Sequence, residues 1–353
     1  MHGRAQHGGL RIAADVGGTF TDVVTFDAAT GRPSFGKTLT TPASIVEGIV
    51  TGVGKAGASL SDAHIFLHGT TVAINTILER SGARTALVTT RGFRDIYEIG
   101  RINRPEAYNL FFRKHEPLIP RSLRFEISER MSAQGEVLTA LDEQEAAQIA
   151  RELVKLNVEA VAILFLHSYV NPVHEIRVKK LIEDACPRAF VTASHEISGE
   201  YREFERTSTV AANAYIGPRV RSYLAELDAR LEKERFAGSF HVVQSNGGLY
   251  DARSAQRECI RMLESGPAAG VIGTRAVCAR LDIQNAIAFD MGGTTAKAGV
   301  VHKGDVVMAG NILIGGYARG LPIQIPLIDI QEVGTGGGSI ARVDAGGGLR
   351  VGP

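Results

Sequence analysis

The sequence has few cysteines and almost no net charge. The first shortage argues against disulfides and cysteine-based sites, and the second against a strongly charged binding partner. Its three cysteines, Cys186, Cys259 and Cys278, are odd in number and widely spaced, with no Cys-x-x-Cys pair. We therefore expect a reduced, cytoplasmic protein in which each cysteine is a small buried side chain rather than a nucleophile. The net charge of +1 gives no electrostatic case for a nucleic-acid partner or an anionic membrane.

Long apolar runs and known metal spacings are also missing. No run approaches about 18 apolar residues, so we expect no membrane-spanning helix. Residues 1–11, MHGRAQHGGLR, lack the apolar core of a signal peptide. The segment TGVGKAG fails the P-loop pattern because Ile49 replaces its first glycine and Ala56 its Ser/Thr. The two His-Glu-Ile segments lack the second histidine of a zinc-binding helix.

Glycine is abundant, with 40 residues, and two glycine-bearing stretches resemble each other. Residues 12–22 read IAADVGGTFTD and residues 287–297 read IAFDMGGTTAK. In each, a short apolar run ends in Asp-x-Gly-Gly-Thr, and two more apolar runs follow around a glycine-bearing turn. Each copy predicts a buried strand, a tight loop and two further strands. The match of both copies favours a duplicated domain pair over two unrelated hairpins.

The Asp-x-Gly-Gly-Thr loop carries the groups that phosphate binding needs. The glycines allow a tight turn and close approach of a ligand, and successive N–H groups can form an anion-binding nest. Threonine hydroxyls add donors, and an aspartate at the strand end can hold Mg²⁺, which bridges to phosphate oxygens. We therefore predict that Asp15 and Asp290 hold Mg²⁺ from opposite sides of one nucleotide. The predicted phosphate ligands are Gly17, Gly18, Thr19, Thr21, Gly292, Gly293, Thr294 and Thr295.

Between the two loops, strand patterns alternate with helix patterns, which favours an α/β fold with a parallel or mixed sheet. The predicted helices cover residues 44–57, 141–158 with Asp142 as N-cap, 171–187 and 266–281. A longer helix runs from Glu200 to about Glu234, and we expect an interruption at the Ile-Gly-Pro-Arg segment. Residues 91–140 predict a long loop or insertion beside the site.

Three polar groups outside the two loops have competing interpretations. His68 follows an apolar run in FLHGTT. A histidine there is more often structural, yet ligands of α/β folds collect at strand ends, so His68 remains a site candidate. Asn246 in QSNGG also follows a predicted strand and precedes a glycine turn, so it is a site candidate on the same grounds. In YREFERTST, the spacing of Arg202, Glu205 and Arg206 is typical of a solvated helix face.

A run of motifs, in order from about Arg11, resembles the hydantoinase/oxoprolinase family and most of all its hydantoinase A (N-methylhydantoinase A-like) subunits. The motifs are DVGGTFTD, HGTTVAINTILERSGARTALVTTRGFRD, EISGEYREFERTSTVAANAYIGPRV, QSNGG, ESGPAAGVIG, FDMGGTTAK and GTGGGSIA. The resemblance implies the actin, sugar-kinase and heat-shock-protein-70 fold, a duplicated ribonuclease H-like α/β architecture. In that fold two domains clamp Mg-ATP between two phosphate hairpins.

The resemblance also implies a division of the chain. Residues 1–200 correspond to the family's N-terminal region with the first phosphate loop. Residues 201–353 correspond to the start of the hydantoinase A core with the second loop. Because family members are commonly about twice as long, we expect this chain to stop just inside a truncated second domain.

The activity implied by the resemblance is ATP-dependent opening of a cyclic amide, such as a hydantoin, 5-oxoproline or a related lactam, after phosphorylation of its carbonyl. ATP and Mg²⁺ are the implied cofactors, and a hydantoinase B-type subunit is the implied partner. Asp15, Asp290 and His68 are the candidate catalytic residues. Asn246, Asp329, Gly336 and Gly337 are weaker candidates for the substrate side. Two alternatives stay open: a subunit of an ATP-dependent acetone-type carboxylase acting on a ketone, and a non-catalytic nucleotide-binding fragment.

Overall fold

The computed structural model describes residues 9–41, 44–101, 106–293, 295–316 and 319–352. Thr294 and most of the polar start therefore lie outside the described residues. The elements up to residue 90 are β1 (Leu10–Val16), β2 (Phe20–Asp27), β3 (Arg32–Leu39), α1 (Ile45–Lys55), β4 (Ala63–Thr70), α2 (Val72–Leu78) and β5 (Thr85–Thr90). Those from residue 91 to 200 are α3 (Ile96–Ile99), β6 (Arg124–Ile127), β7 (Arg130–Met131), β8 (Val137–Thr139), α4 (Glu143–Lys155), β9 (Ala160–Leu164), α5 (Val173–Ala185), β10 (Phe190–Ala193) and α6 (Ser194–Ile197).

The second half of the chain begins with a long helix and ends in short strands. Its elements up to residue 280 are α7 (Glu203–Lys233), β11 (Ser239–Val243), β12 (Leu249–Asp251), α8 (Ala252–Ala255) and α9 (Ser265–Arg280). The remaining strands are β13 (Ala286–Met291), β14 (Ala296–His302), β15 (Asp305–Val306), β16 (Met308–Ala309), β17 (Ile312–Ile314), β18 (Leu321–Ile323), β19 (Leu327–Ile328), β20 (Ile330–Val333), β21 (Ile340–Val343) and β22 (Leu349–Gly352). Short 3₁₀ turns cover Leu60–Asp62, Arg121–Leu123 and Cys259–Met262.

The first sheet has six strands in the order β12-β11-β4-β1-β2-β3. Strands β1, β2 and β3 are antiparallel neighbours, whereas β4 runs parallel to β1 and β11 runs parallel to β4. The carboxyl ends of β1, β4 and β11 therefore lie side by side at one edge, where ligands of α/β sheets bind. That edge carries the first glycine loop, the His-Gly-Thr-Thr segment and the Ser-Asn-Gly-Gly turn.

Helix α1 packs on β2 and β3 at close range. A Cβ added to Gly36 would lie 2.0 Å from the Gly52 carbonyl oxygen, and one added to Gly52 would lie 2.6 Å from Val23. Only glycine fits such an approach of backbone to backbone. The TGVGKAG segment therefore serves helix–sheet packing, which agrees with its failure as a P-loop.

The second sheet is parallel throughout, in the order β10-β9-β5-β6. Strands β5 and β9 are buried over their whole length. Helix α4 begins where predicted, because Asp142 Oδ1 accepts hydrogen bonds of 3.0 Å from the N–H groups of Gln144 and Glu145. The predicted 91–140 insertion contains regular structure, since it contributes α3, β6, β7 and β8.

Helix α7 packs against the second sheet, and two sequence predictions about it were wrong. It continues through Gly217 and Pro218 without the expected interruption, because tight packing outweighs local propensity: the Phe190 ring lies 2.4 Å from where a Gly217 Cβ would be. Arg206 is fully buried rather than solvated, because the first half of α7 is buried all round. Its guanidinium bonds Ser168 and Ser194 and lies 3.8 Å from Glu175.

The second glycine loop lies in a small sheet of its own, formed by β13, β14 and β15, with β20 paired to β14. Helix α9 covers it, and the pair shares a small core of Ala268, Val271, Val301 and Ile328. The larger core includes residues on both sides of residue 200.

Strand β13 is exposed, although its apolar sequence predicts a buried strand. Ile287, Phe289 and Met291 are 70%, 65% and 54% exposed. Among the described residues β13 pairs with β14 alone, so it is an edge strand of its sheet. Helix α9 packs beside the half-buried alternate residues Ala286 and Ala288, which leaves the other face uncovered.

The cysteines behave as the sequence predicted. Cys259 and Cys278 are buried, Cys186 is half-buried, and all three are free thiols. Burial raises the pKa of the Cys259 thiol to about 12, so it is inert as a nucleophile at neutral pH. In the parts of the chain that are described, no helix is long and apolar enough to cross a membrane.

Candidate functional site

The two glycine loops are closed by equivalent hydrogen bonds. In the first, the Gly17 N–H donates to the Phe20 carbonyl at 2.9 Å, and in the second the Gly292 N–H donates to the Thr295 carbonyl at 2.9 Å. The cross-strand register also matches, because Asp15 faces Asp22 as Asp290 faces Lys297. The internal similarity read from the sequence is therefore a true structural repeat.

The two glycine loops lie next to each other. A Cβ added to Gly293 would lie 4.0 Å from the Thr19 hydroxyl oxygen. The charges of the two loop carboxylates also interact, since Asp290 helps to raise the pKa of Asp15. Gly18, Thr19, Gly292 and Gly293 are exposed at the loop tips, where a ligand can reach them. The structure thus brings together the two loops that the sequence assigned to one nucleotide.

Asp15 sits in a space that two glycines leave open. A Cβ on Gly69, at the end of β4, would lie 2.7 Å from Asp15 Oδ1. A Cβ on Gly266, in the first turn of α9, would lie 2.7 Å from the same oxygen and 3.0 Å from Oδ2. Any other residue at either place would have to push the carboxylate aside. Three separated segments of the chain therefore converge on one carboxyl group.

Part of the Asp15 residue is exposed to solvent, but protein atoms surround its carboxyl group on the other sides. The pKa of this carboxyl group is raised to about 6. The burial of the carboxyl group is the largest cause, the charges of Asp290 and Asp22 add to it, and Lys297 opposes them. No hydrogen-bond donor of the described residues contacts the carboxylate of Asp15 or of Asp290. Two carboxylates that repel each other and lack donors are a fit for a divalent cation, which prefers oxygen ligands.

The donor set has two protein carboxylates. Within the described ranges, no group of three or more His, Cys, Asp or Glu side chains is placed to hold a metal ion. Mg²⁺ is commonly bound by one or two carboxylates together with water and substrate phosphates. Asp15 and Asp290 therefore fit a nucleotide-associated Mg²⁺ better than a permanent all-protein metal centre.

Helix α9 begins beside Asp15 and is fixed there by serine hydroxyls. Ser265 Oγ accepts from the Thr70 N–H at 2.9 Å and donates to the Thr70 carbonyl at 3.0 Å. Ser245 Oγ, at the end of β11, accepts from the Glu264 N–H at 3.1 Å. These contacts tie the helix start to two strand ends of the first sheet. A helix N-terminus at this place favours an anion beside the two glycine loops.

A buried ion pair links the second loop to the same helix start. Lys297 Nζ lies 2.6 Å from Glu264 Oε2 and 3.5 Å from Glu332. Burial lowers the pKa of the Lys297 ammonium, but Glu264 and Glu332 outweigh burial and keep the pKa above its ordinary value. Sequence reasoning missed both residues, although each lies inside a quoted motif. One difference between the two motifs could have revealed this pair: the second motif has a lysine, Lys297, at the position where the first has Asp22.

The weaker substrate-side candidates differ in position. The Gly337 N–H donates to the Gly292 carbonyl at 3.0 Å, and the Gly336 N–H donates to Ser339 Oγ at 3.0 Å, so this loop lies on the second glycine loop. Asn246 Oδ1 accepts from the Gly248 N–H at 2.8 Å, closing its own turn. Asp329 accepts from Gln331 at 2.8 Å, and its N–H donates to Val307, contacts that tie it to the strands around β20.

The structure places His68 behind the first glycine loop, in the core of the sheet, and not on an exposed strand end. The side chain is fully buried. Nδ1–H donates to the Ala14 carbonyl at 3.1 Å, and Nε2 accepts from the Tyr223 hydroxyl at 2.8 Å. Burial lowers the pKa of His68 to about 4, so the ring is neutral and its two nitrogens are both occupied. His68 supports the strand that carries Asp15.

The Thr21 hydroxyl likewise bonds to another protein side chain and does not reach the surface. It is fully buried, and its hydroxyl lies 3.2 Å from the Thr40 hydroxyl. Thr40 Oγ1 in turn donates to the Gly17 carbonyl at 2.8 Å. Thr21 therefore helps to shape the first loop from behind, whereas Thr19 is exposed on its open side.

Comparisons with known proteins agree with this geometry. The model described as hydantoinase/oxoprolinase N-terminal region matches residues 11–186, and the model described as hydantoinase/oxoprolinase matches residues 206–353. An uncharacterized protein of Methanocaldococcus jannaschii is 41% identical, over 98% of this chain and 52% of its own length. The caprolactamase subunit alpha of Pseudomonas jessenii is 32% identical, over 97% of this chain and 50% of its own.

Solved structures show the same fold. The crystal structure of the ATP-dependent caprolactamase from Pseudomonas jessenii matches with a TM-score of 0.81 and 31% identity, over 97% of this chain and 50% of that chain. The nucleotide-free acetone carboxylase matches with a TM-score of 0.83 and 27% identity, over 98% and 51%. The predicted α/β actin-like ATPase fold is therefore confirmed. The chain spans about half the length of the curated relatives it matches.

Proposed function

Because the chain belongs to the hydantoinase/oxoprolinase family, we propose that it is the nucleotide-binding part of an ATP-dependent hydrolase that activates the carbonyl of a cyclic amide. Both similar solved enzymes, caprolactamase and acetone carboxylase, are described as ATP-dependent. The first is named for a lactam and the second for a ketone, and both of these compounds contain a carbonyl group. The substrate proposed here is a hydantoin, 5-oxoproline or a related lactam.

The observation that carries this proposal is the pair of interacting carboxylates, Asp15 and Asp290, on two adjacent loops of matching sequence. In the proposed complex both carboxylates hold Mg²⁺, and the exposed loop tips direct N–H groups and the Thr19 hydroxyl toward phosphate oxygens. Bound Mg²⁺ supplies neutralisation of the phosphate charge. The start of α9 adds its dipole from the other side. Such an arrangement positions and stabilises a phosphoryl group without needing a protein nucleophile.

The proposed chemistry overcomes the poor reactivity of an unstrained amide. The carbonyl oxygen attacks the γ-phosphorus, so a new O–P bond forms while the bond to ADP breaks. Water then adds to the ring carbon, the C–N bond breaks, and the nitrogen leaves as an amine after taking a proton. A second water releases phosphate from the acyl phosphate that results. We propose that a hydantoinase B-type partner handles the water, since the caprolactamase relative is named a subunit.

A carboxylase function is the second candidate, because acetone carboxylase and caprolactamase match this fold about equally well. Transfer of the γ-phosphoryl group from ATP to a ketone's enol oxygen would give an enol phosphate and ADP. Attack of water on its phosphorus would break the O–P bond and release phosphate and the enolate, whose carbon then adds to carbon dioxide to form the new C–C bond and a carboxylate. The same Asp15 and Asp290 would serve that reaction. The nucleotide half of the site therefore does not separate the two functions, whereas the second substrate does.

The test is ADP release by the purified chain with a panel of lactams and ketones, with and without the neighbouring gene's product. Lactam-stimulated ADP release supports the hydrolase, and ketone-stimulated release that needs bicarbonate supports the carboxylase. An Asp15→Asn variant under the same conditions controls for a contaminating ATPase. ATP binding without turnover on any substrate would support the third possibility, a non-catalytic nucleotide-binding fragment, and would contradict both enzyme functions.

A further inference from the structure

A concave surface lies along strand β10, away from the two glycine loops. This groove encloses about 780 Å³. Strand β10 forms its floor, the end of α5 and the chain after it form one wall, and α8 with the turn that follows forms the other. Arg221 of α7 closes one side. None of the described residues of either glycine loop lines it.

The free edge of β10 opens into this groove. Among the described strands β10 pairs with β9 alone. The Phe190 N–H donates to the Glu159 carbonyl at 2.9 Å, and in a parallel ladder only alternate residues bond the same neighbour. Val191 therefore directs its N–H and C=O away from β9. The Ala193 N–H confirms the direction, because it bonds the Glu196 side chain at 3.1 Å.

Three arginines in the groove have no acidic partner. Arg221, Arg253 and Arg257 are exposed, and no carboxylate of the described residues lies within 4.0 Å of their guanidinium nitrogens. The Arg221 guanidinium lies 5.3 Å from the centre of the Phe190 ring, which fixes it over the strand. Unpaired arginines that converge on one hollow favour carboxylate or phosphate groups as ligands.

The acidic residues in the groove cancel only part of this charge, because its lining has four basic residues, Lys179, Arg221, Arg253 and Arg257, and three acidic ones, Glu183, Glu196 and Glu258. Lys179 Nζ lies 2.6 Å from Glu196 and 3.8 Å from Glu183. Glu258 is paired with Arg261. The groove therefore has a net positive potential.

We propose that this groove binds an extended acidic segment of a partner polypeptide, which adds as a strand to the free edge of β10. The segment's backbone would bond the N–H and C=O of Val191, as in other cases of strand addition. Because alternate side chains of a strand point to the same side, every second residue of the segment would present a carboxylate to the arginines. A small anion would use the arginines but not the open backbone groups. This inference does not depend on the nucleotide chemistry.

The probe is a fluorescent peptide of about ten residues with alternating Val and Glu, a length that suits a single strand. We expect saturable binding to the full chain below about 1 mM by fluorescence anisotropy. A triple Arg221→Gln, Arg253→Gln, Arg257→Gln variant should bind at least about tenfold more weakly, because charge-assisted hydrogen bonds are lost. All three side chains are exposed, so the variant should keep the wild-type circular dichroism spectrum and melting temperature.

A matched control removes the same charge elsewhere. Arg32, Arg151 and Arg280 are exposed, and their combined change to Gln should leave peptide binding at the wild-type level. Two peptide controls separate the contributions: Gln in place of Glu should lose binding through charge, and Pro in place of Val should lose it through the backbone.

Three outcomes would overturn the proposal. The first is no saturable binding of the Val-Glu peptide. The second is equal binding by the wild type and by the triple variant at Arg221, Arg253 and Arg257. The third is displacement of the peptide by inorganic phosphate or free glutamate at comparable concentrations, since that would make the groove a small-anion site.

Discussion

The Asp15 carboxylate occupies the space that Gly266, in the first turn of α9, leaves free by having no side chain. A side-chain carbon on Gly266 would lie 2.7 Å from one carboxylate oxygen of Asp15 and 3.0 Å from the other. Gly69 leaves the same space open from the β4 side. The helix that joins the two halves of the repeat thus meets the first loop at the group proposed to hold Mg²⁺.

Gly266→Ala should therefore displace Asp15 and weaken Mg-ATP binding by at least about tenfold. Gly273→Ala in the same helix is the matched control, because a Cβ there meets nothing within 4 Å. Both changes raise helix propensity by a similar amount, so a difference between them reports on Asp15. Isothermal titration calorimetry measures both affinities, and equal values for the two variants would show that the space around Asp15 is not needed.

The raised pKa of Asp15 predicts a pH-dependent stability difference. Its folded pKa of about 6 exceeds the ordinary value of 3.8, so the folded state binds the proton more tightly than the unfolded state. Ionised Asp15 therefore destabilises the fold progressively from about pH 4 to about pH 6, and fully above that. In Mg²⁺-free buffer, Asp15→Asn should melt above the wild type at pH 7.5 and level with it near pH 4. Calorimetric scans that show the same offset at both pH values would contradict this.

The hydrogen bond from Tyr223 to His68 predicts that its removal lowers the stability of the fold, although neither side chain contacts the proposed nucleotide site. Tyr223→Phe leaves the buried His68 Nε2 without a donor, which should cost about 1–3 kcal/mol. Tyr201→Phe is the control, because Tyr201 is 60% exposed, and it should cost close to nothing. Urea unfolding curves at pH 7.5 give both values. Indistinguishable midpoints would mean that the Tyr223–His68 contact does not stabilise the protein.

Because the Lys297–Glu264 ion pair is largely buried, we predict that removing one partner lowers the unfolding free energy more than removing one partner of an exposed pair. Lys297→Met leaves Glu264 as a buried carboxylate without its partner and should cost about 3–5 kcal/mol. Lys37→Met removes a pair of similar length, 2.7 Å to Asp22, but an exposed one, and should cost about 0–1 kcal/mol. Adding Glu264→Leu to Lys297→Met should restore part of the loss. Equal unfolding free energies for the two single variants would show that the buried pair has no special weight.

The parts of the fold that could be predicted from the sequence are those determined by short-range chemistry. The two loops, the strands on either side of each and the Asp142 cap follow from turn residues and periodicity within a few positions. The family motifs then gave the fold class. These features need no knowledge of which element packs on which.

Other features depend on contacts between distant segments, and local patterns could not reveal them. His68 looks like a strand-end ligand until Tyr223, from α7, is seen to occupy its second nitrogen. Arg206 has the spacing of a surface residue, but the helix around it is buried on every side. The exposed face of β13 and the continuity of α7 through Pro218 were missed for the same reason.

Calorimetric titration of ATP with and without Mg²⁺ tests most directly whether Asp15 and Asp290 hold the metal between the two loops. We predict that wild-type protein and an Asp228→Asn control, changed at an exposed residue of α7, bind ATP much more tightly with Mg²⁺ than with EDTA. Asp15→Asn and Asp290→Asn should each weaken Mg-ATP binding about 100-fold and lose most of the Mg²⁺ dependence. Wild-type Mg-ATP affinity in both variants would contradict the proposed site.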